Sequence, residues 1–202
     1  GMVDTRGHPS DYDDWAALGN PGWTFQEVLP YFRRSENNEE HGDSPYHGKG
    51  GPLNVKYLDM YSPLCEVLFQ AAEDMQYRRT DDFCGPTHEG FGRRQATMKD
   101  GRRWSASHAF LRPALKRPNL TVVTGALARR IVMDGRRAVG LDYERDGKVE
   151  RATARREVIL AAGVIGSPQL LMLSGIGPAG ELGALGIEVV RDLPGVGRNY
   201  QD

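Results

Sequence analysis

Residues 158–177 read VILAAGVIGSPQLLMLSGIG. An apolar run ends in glycine, the chain restarts at Ser167-Pro168, turns apolar again, and stops at Ser174-Gly175-Ile176-Gly177. The first five residues have the unbroken hydrophobicity of a strand buried on both faces. Ser167 and Pro168 predict a helix start, a hydroxyl cap followed by a residue whose φ is already fixed. Gly175 predicts its end. The order is therefore strand, turn, helix. Small residues at Ala162 and Gly163 either let the strand and helix pack closely or let a ligand approach the backbone at a sheet edge, where open α/β sheets bind cofactors. The residues alone leave both readings open.

Downstream, Gly175-Ile176-Gly177-Pro178-Ala179-Gly180 literally spells GxGxxG. A dinucleotide fingerprint must follow a strand and open a helix, so that helix amides face a pyrophosphate. This one follows a helix and carries a proline, so it reads as a helix end and a turn. A short helix near 179–185 and a strand, IEVVRDL, precede Pro194. Upstream, the sequence predicts a strand LTVVT at 120–124 and then ALARRIVM, AVGLDYER and KVERATA, separated by Asp134-Gly135 and Asp146-Gly147. That punctuation predicts an antiparallel meander.

The first hundred residues read differently. Ser10-Asp11-Tyr12-Asp13 has the form of a capping box opening a short helix to Leu18, and Thr24-Phe25-Gln26-Glu27 opens a second, with Pro30 inside it. Residues 35–51 are polar and glycine-rich and read as a long loop. Pro52–Tyr57 reads as a strand. Ser62-Pro63 then opens a helix with Leu64, Val67, Leu68, Ala71 and Met75 at helical spacing, an apolar face for the core. FGRRQATM at 91–98 reads as a strand turning at Asp100-Gly101, and Ser105 as the cap of a helix carrying Phe110, Leu111 and Leu115.

Composition narrows the function classes. The 202 residues carry 26 Lys and Arg against 27 Asp and Glu, a formal net charge of −1. Arginine pairs recur, but scattered among acids, as solvated faces and ion pairs rather than a nucleic-acid surface. No apolar run reaches a membrane span and the polar N-terminus shows no signal peptide. Cys65 and Cys84 are far apart without a CxxC. Free thiols in a reducing compartment, and a cytoplasmic location, are the expectation. Cys84 is a candidate exposed thiol, His41 and His47 flank the polar loop without further metal ligands, and Trp15, Trp23 and Trp104 read as packing anchors.

The quoted stretch, small–x–x–Gly–Ser–Pro–x–Leu-Leu–x–x–Ser-Gly–aliphatic–Gly, resembles the second signature of the glucose–methanol–choline flavoprotein oxidoreductases. GMVDTRGHPSDYDDWAALGNPGW at 1–23 resembles the segment after that family's first glycine-rich signature. HGKGGPLNV at 47–55, EGFG at 89–92, DGRRWSASHAFLRPAL at 100–115 and LPGVGRNYQD at 193–202 resemble the bacterial choline and alcohol dehydrogenase branch. The resemblance implies a mixed α/β fold: part of an FAD-binding domain with a β-meander, plus part of an antiparallel-sheet substrate domain. Residues 1–50 would be a flavin-flanking segment and long loop, 51–117 part of the substrate domain, and 118–202 the later part of the FAD domain.

The resemblance also implies an internal portion of the family's chain. The strand–GxGxxG–helix unit would precede Gly1, and the segment with the catalytic histidine would follow Asp202. None of His8, His41, His47, His88 and His108 falls at the catalytic position, so no catalytic residue and no metal ligand is assigned. Gly1, Met2 and Val3 match the backbone that passes beside the isoalloxazine. Ala128 matches a residue whose main chain contacts the adenine, and Ala162 and Gly163 match small residues at the FAD-domain strand end. Two positions depart from the pattern: Asp4 stands where the family prefers an aromatic, and Cys84 where asparagine is common. The implied activity of the complete enzyme is oxidation of a primary alcohol by hydride transfer to FAD, with an electron acceptor as partner. A truncated, flavin-free chain or a partner-binding α+β domain is the alternative.

Overall fold

Helix α1 spans Pro9–Ala17 and α2 spans Phe25–Ser35 in a computed structural model of the chain, which describes residues 2–58 and 61–200. Contacts divide the chain into two units, Gly1–Thr121 and Val122–Asp202. In the first, α2 starts where its sequence says. Thr24 accepts from the Glu27 N–H, and the Glu27 carboxylate accepts from the Thr24 N–H in return. For α1 the cap is His8 rather than Ser10: the Ser10 N–H donates to His8 Nδ1, and the Asp11 carboxylate accepts from the His8 N–H. Proline at the first helical position fixes that start two residues earlier than expected. The apolar faces of both helices meet in a core of Tyr12, Phe25 and Leu29, with Val28, Phe32 and Tyr46 against it.

The polar stretch after α2 is not all loop. Glu36–Asn38 forms β1, which pairs in parallel with β2, Leu53–Tyr57, and β2 pairs antiparallel with β3, Gln95–Ala96. Two asparagines and a glutamate give no strand signal; their side-chain bonds hold the segment there, as described below. Ser62 caps α3, Pro63–Asp74, by accepting from the Leu64 N–H. Its buried face is Phe69 and Ala72, whereas Leu64, Val67, Leu68 and Met75 are more than half exposed. The helical period is as read, but the packed face is the neighbouring one.

The 91–98 segment is broken into β3 and β4, Met98–Lys99. The latter forms a hairpin with β5, Arg102–Arg103, across Asp100-Gly101. A π-helical turn at Ser107–Leu111 leads into α4, Arg112–Ala114. Ser105 caps no backbone amide there; its hydroxyl lies 3.1 Å from His108 Nδ1.

The second unit centres on the meander. Strands β6 (Leu127–Asp134), β7 (Arg137–Arg145) and β8 (Lys148–Thr153) pair antiparallel in that order. Asp146 and Gly147 both take positive φ, as a two-residue hairpin turn requires. Then come α5 (Gly163–Leu173), β9 (Ile176–Gly177), α6 (Ala179–Ala184) and β10 (Arg191–Asp192), with β9 parallel to β10. Strand IEVVRDL thus shrinks to two paired residues.

Two expected strands do not form. LTVVT and VILAA are unpaired, and Ile159 is 81% exposed. A strand of the parallel, two-sided kind needs neighbours on its flanks and helices on its faces, and no described residues supply them. Helix α5 starts at Gly163, ahead of Ser167. Ala162 takes the cap position, and the Ser167 hydroxyl, inside the helix, accepts from the Ala162 N–H at 3.1 Å. Ser167 is therefore a bracing residue within the first turns rather than the N-cap.

The Ser174-Gly175 stop has a physical basis. Ser174 is buried; its Oγ accepts from the Ile131 N–H at 2.8 Å and donates to the Leu170 carbonyl at 2.6 Å. It ties the end of α5 to β6 through an amide that no strand partner satisfies. Gly175 then turns away at φ +79, with its Cα so near the Glu188 carbonyl that an added Cβ would stand 2.3 Å from that oxygen. Ser174→Ala is expected to cost about 1–3 kcal/mol, the penalty of a buried unsatisfied N–H. Urea denaturation followed by far-ultraviolet circular dichroism checks it; an unchanged midpoint would mean water reaches the Ile131 amide.

Candidate functional site

The residues matched to cofactor contact lie in both units. Gly1 lies outside the described residues. In the first unit, the Met2 carbonyl accepts from the Thr97 N–H at 2.7 Å and Val3 forms an antiparallel bridge with Ala96. That backbone is pinned to β3 while the Val3 side chain stays 59% exposed. In the second unit, Ala128 sits on β6 opposite Tyr143, next to a register shift at which Arg129 has no partner. Such bulges re-aim a strand locally. Ala128, Arg129, Val149, Gln169 and Leu173 line an open cleft of about 590 Å³. Ion pairs tie β6, β7 and β8 together beside it. Asp142 takes Arg151 at 2.6 Å and Arg130 at 3.0 Å, and these two guanidinium contacts, Arg151 first, lower its carboxyl to about 2.

Ala162 and Gly163 lie at the opposite end of α5 from Leu173 and Gln169 does not reach them. Gly163 stands six residues before Gln169, about 9 Å along the helix. Gly163 has φ +82 and nothing within 4 Å of an added Cβ, so the backbone there is open to an approaching group. Valine at Gly163 meets no clash within the chain, but it must adopt a left-handed conformation costing about 1–3 kcal/mol.

The first unit holds a buried ionic cluster that the sequence reading passed over. His47 is fully buried, its Nδ1 donating to Glu36 Oε1 and its Nε2 to Asp82 Oδ2, both at 3.0 Å. Glu36 also takes Arg6 at 2.7 Å and the Gly48 N–H at 2.9 Å. Burial opposes charge on His47, but the hydrogen bonds and negative charges of Asp82 and Glu36 outweigh it and push its pKa up to about 9. Burial likewise opposes charge on Glu36 and Asp82, and the His47 contact overcomes it, so both carboxyls are lowered. Asn38 and Gln95 form a reciprocal side-chain pair at 2.9 Å beside it. These bonds hold β1 in the sheet. Gly48 is glycine because a Cβ there would meet the Arg33 carbonyl at 1.8 Å, and only that approach lets His47 reach inward. HGKGG is thus a packing motif around an imidazolium.

The remaining candidates resolve simply. His41 Nε2 lies 3.0 Å from the Tyr57 hydroxyl. Cys84 is buried, not exposed, and burial pushes its thiol up, away from a reactive thiolate. Trp15 stacks edge-on against Tyr12 and Trp23, and Trp104 Nε1 donates to the Pro52 carbonyl at 2.8 Å.

The family model described as GMC oxidoreductase matches residues 1–202. The chain belongs to the GMC oxidoreductase family. It is 50% identical, over all 202 residues, to an oxygen-dependent choline dehydrogenase of Brucella anthropi, and 47% identical to one of Sinorhizobium fredii. It covers 36% of the length of each, so it spans about a third of those relatives. Among solved structures it is similar to a pyridoxine 4-oxidase from Mesorbium loti, with TM-score 0.92 and 35% identity over the whole chain and 40% of that one. An FAD-dependent oxidoreductase from Chaetomium thermophilum gives TM-score 0.91 at 34% identity, over the whole chain and 37% of that one. The mixed helix-and-sheet fold is that of GMC flavoprotein oxidoreductases. Among the described residues, no helix is long and apolar enough to cross a membrane.

Proposed function

We propose that this chain is part of an FAD-dependent alcohol oxidoreductase acting on a primary alcohol of the choline type, with a separate electron acceptor. The observation that carries this reading is the 50% identity to an oxygen-dependent choline dehydrogenase along the whole chain. The residues present fit FAD: Ala128 lines an open cleft, and the backbone at Gly163 has no side chain or neighbour in the way. Ala128, Ala162 and Gly163 would hold the cofactor through main chain in the second unit, and Gly1, Met2 and Val3 would flank it in the first. When bound, FAD supplies the hydride acceptor for alcohol oxidation. The chain's own part is to position backbone and to keep that backbone rigid, through the Thr97–Met2 bond in one unit and the Ser174 bracket in the other.

The test uses the complete polypeptide containing these residues. It is expected to purify yellow and to be bleached anaerobically by choline. A colourless protein, or a flavin that no primary alcohol reduces, would overturn the reading and favour a partner-binding domain. In the same protein, Gly163→Val is expected to lower FAD content per folded chain, since the strained backbone moves where the cofactor approaches. Flavin absorbance against protein concentration checks it, and an unchanged ratio removes Gly163 from the site.

A further inference from the structure

The backbone proposed to flank the isoalloxazine is pinned along one side. The Met2 carbonyl accepts from the Thr97 N–H at 2.7 Å, Val3 bridges Ala96, and the Asp4 N–H donates to the Gln95 carbonyl at 2.9 Å. Strand β3, against which these residues lie, is only two residues long. So short a pairing near a chain end frays unless something outside it holds both sides.

Two routes tie that pairing to one buried carboxylate, Glu36. On the β3 side, the buried Gln95 amide donates to Asn38 Oδ1 at 2.9 Å and to Glu40 Oε2 at 2.8 Å, and accepts from Asn38 Nδ2 at 2.9 Å. Asn38 Nδ2 also donates to Glu36 Oε1 at 3.1 Å. On the other side, two residues beyond Asp4, Arg6 reaches the same carboxylate. Its guanidinium donates to Glu36 Oε2 at 2.7 Å and to the Tyr46 carbonyl at 2.5 Å, and lies over the Phe32 ring. The next backbone amides are held as well. The Arg6 N–H donates to Cys84 Sγ at 3.4 Å, and the Gly7 N–H to the Tyr12 hydroxyl at 3.1 Å.

The Arg6 and Glu36 side chains are 7% and 5% exposed, so the pair cannot part without stranding charge away from water. A planar guanidinium bonded to two acceptors fixes direction as well as distance, which an ammonium on a flexible stem does not. Residues 2–6 therefore form a strut, bonded to β3 at one end and locked by a charged fork at the other, with both ends referred to Glu36. We propose that Arg6 is a positioning residue for the flavin chemistry. Through Glu36 and Tyr46 it sets where the Met2–Val3 backbone stands against the ring, without itself touching cofactor or substrate. The proposal rests on the flavin reading of Met2 and Val3. Its force comes from the steepness of reaction geometry, where a misplacement of about 1 Å costs on the order of 100-fold in rate.

Two measurements test it. In the 202-residue chain without flavin, Arg6→Met is expected to speed amide hydrogen exchange at Asp4 and Thr97, the donors of the pinning bonds, by roughly tenfold or more, while amides of β6–β8 keep the parent's rates. In the complete polypeptide, Arg6→Met is expected to lower kcat for choline per bound flavin by roughly tenfold or more, with a smaller change in KM. Arg6→Lys, which keeps a charge opposite Glu36 but loses the fork, should fall between variant and parent in both. Lys49→Met, at an exposed pair with Asp43, should match the parent. A merely structural role for Arg6 would lower stability or flavin content and leave kcat per bound flavin at the parent's value. That result overturns the proposal, as does unchanged exchange at Asp4 and Thr97. If Arg6→Met does not fold, Arg6→Lys decides by the same two measurements. A colourless parent polypeptide, or one whose flavin choline does not reduce, overturns the flavin reading and this proposal together. A yellow, choline-bleached parent whose Arg6 variants turn over equally per flavin overturns the proposal alone.

Discussion

Replacing His47 with leucine is expected to cost about 3–5 kcal/mol and to leave the first unit largely unfolded at neutral pH. The imidazolium is fully buried and bonded on both sides, to Glu36 and to Asp82, each at 3.0 Å. Leucine fills much of the volume but leaves two carboxylates facing an apolar group, with Arg6 the one cation still paired to Glu36 among the described residues. Removing one member of a buried ionic group costs far more than the group's net worth, because the remaining charge keeps its desolvation penalty. All three tryptophans, Trp15, Trp23 and Trp104, lie in residues 1–121, so intrinsic fluorescence reports this unit. A urea midpoint in the variant equal to the parent's would show that the cluster contributes nothing.

The same residue sets an alkaline limit. The folded-state pKa of His47 is raised to about 9 from the ordinary 6.5. Its contribution is therefore complete below about pH 6.5 and drains away as pH rises to about 9, amounting to about 3 kcal/mol at 1.36 kcal/mol for each pH unit. Glu36 and Asp82 act on the other side: lowered when folded, they stabilise above their ordinary values and lose that stabilisation as pH falls. The parent's fluorescence-detected Tm should fall between about pH 6.5 and 9, and a flat profile there would mean that the imidazole is neutral.

What the sequence carried, and what it hid, follows from distance along the chain. Helix caps and Asp-Gly turns are local chemistry, and they located α2, α3 and the β6–β8 meander. The His47 cluster draws on residues 6, 36, 47 and 82, and no window of ordinary length contains two of its ion pairs. Its one local trace was glycine on the C-terminal side of a histidine in a segment otherwise read as loop. Helix α3 shows a similar limit: periodicity gives the helix, but which of two adjacent stripes is buried depends on what it packs against. VILAA was read as a buried strand from hydrophobicity alone, and hydrophobicity cannot supply pairing partners. Of the candidate site residues, Met2, Val3 and Ala128 carry no side-chain chemistry and only resemblance singles them out, whereas Ala162 and Gly163 also show as small residues at the end of an apolar run.

The 202-residue chain on its own is expected to bind no stoichiometric FAD and to reduce no dye with choline or short alcohols. The pyrophosphate of FAD brings two negative charges, which dinucleotide folds compensate with the free amides at a helix N-terminus. The literal GxGxxG at 175–180 cannot take that role. The Gly175 carbonyl accepts from Val190 and Arg191, Pro178 has no N–H, and the Ala179 N–H at the start of α6 already donates to the Asp192 carboxylate at 3.0 Å. An anion of the chain itself occupies the position a phosphate would need. What remains is main chain at Ala128, Ala162 and Gly163, set against an ordering and association cost of about 4–15 kcal/mol for a large flexible ligand. Turnover has a second obstacle. His47 is locked between carboxylates, and by the resemblance none of His8, His41, His88 and His108 is expected at the family's catalytic position. The proton-transfer gain of about 10²–10⁴-fold is therefore not expected from this chain alone. Quenching of flavin fluorescence during titration with the purified chain measures the first expectation, and dye reduction against a flavin-only control measures the second. Tight one-to-one binding would mean that backbone contacts at Ala128 and Gly163 suffice to hold the cofactor, and turnover above the control would show that these 202 residues supply a working base.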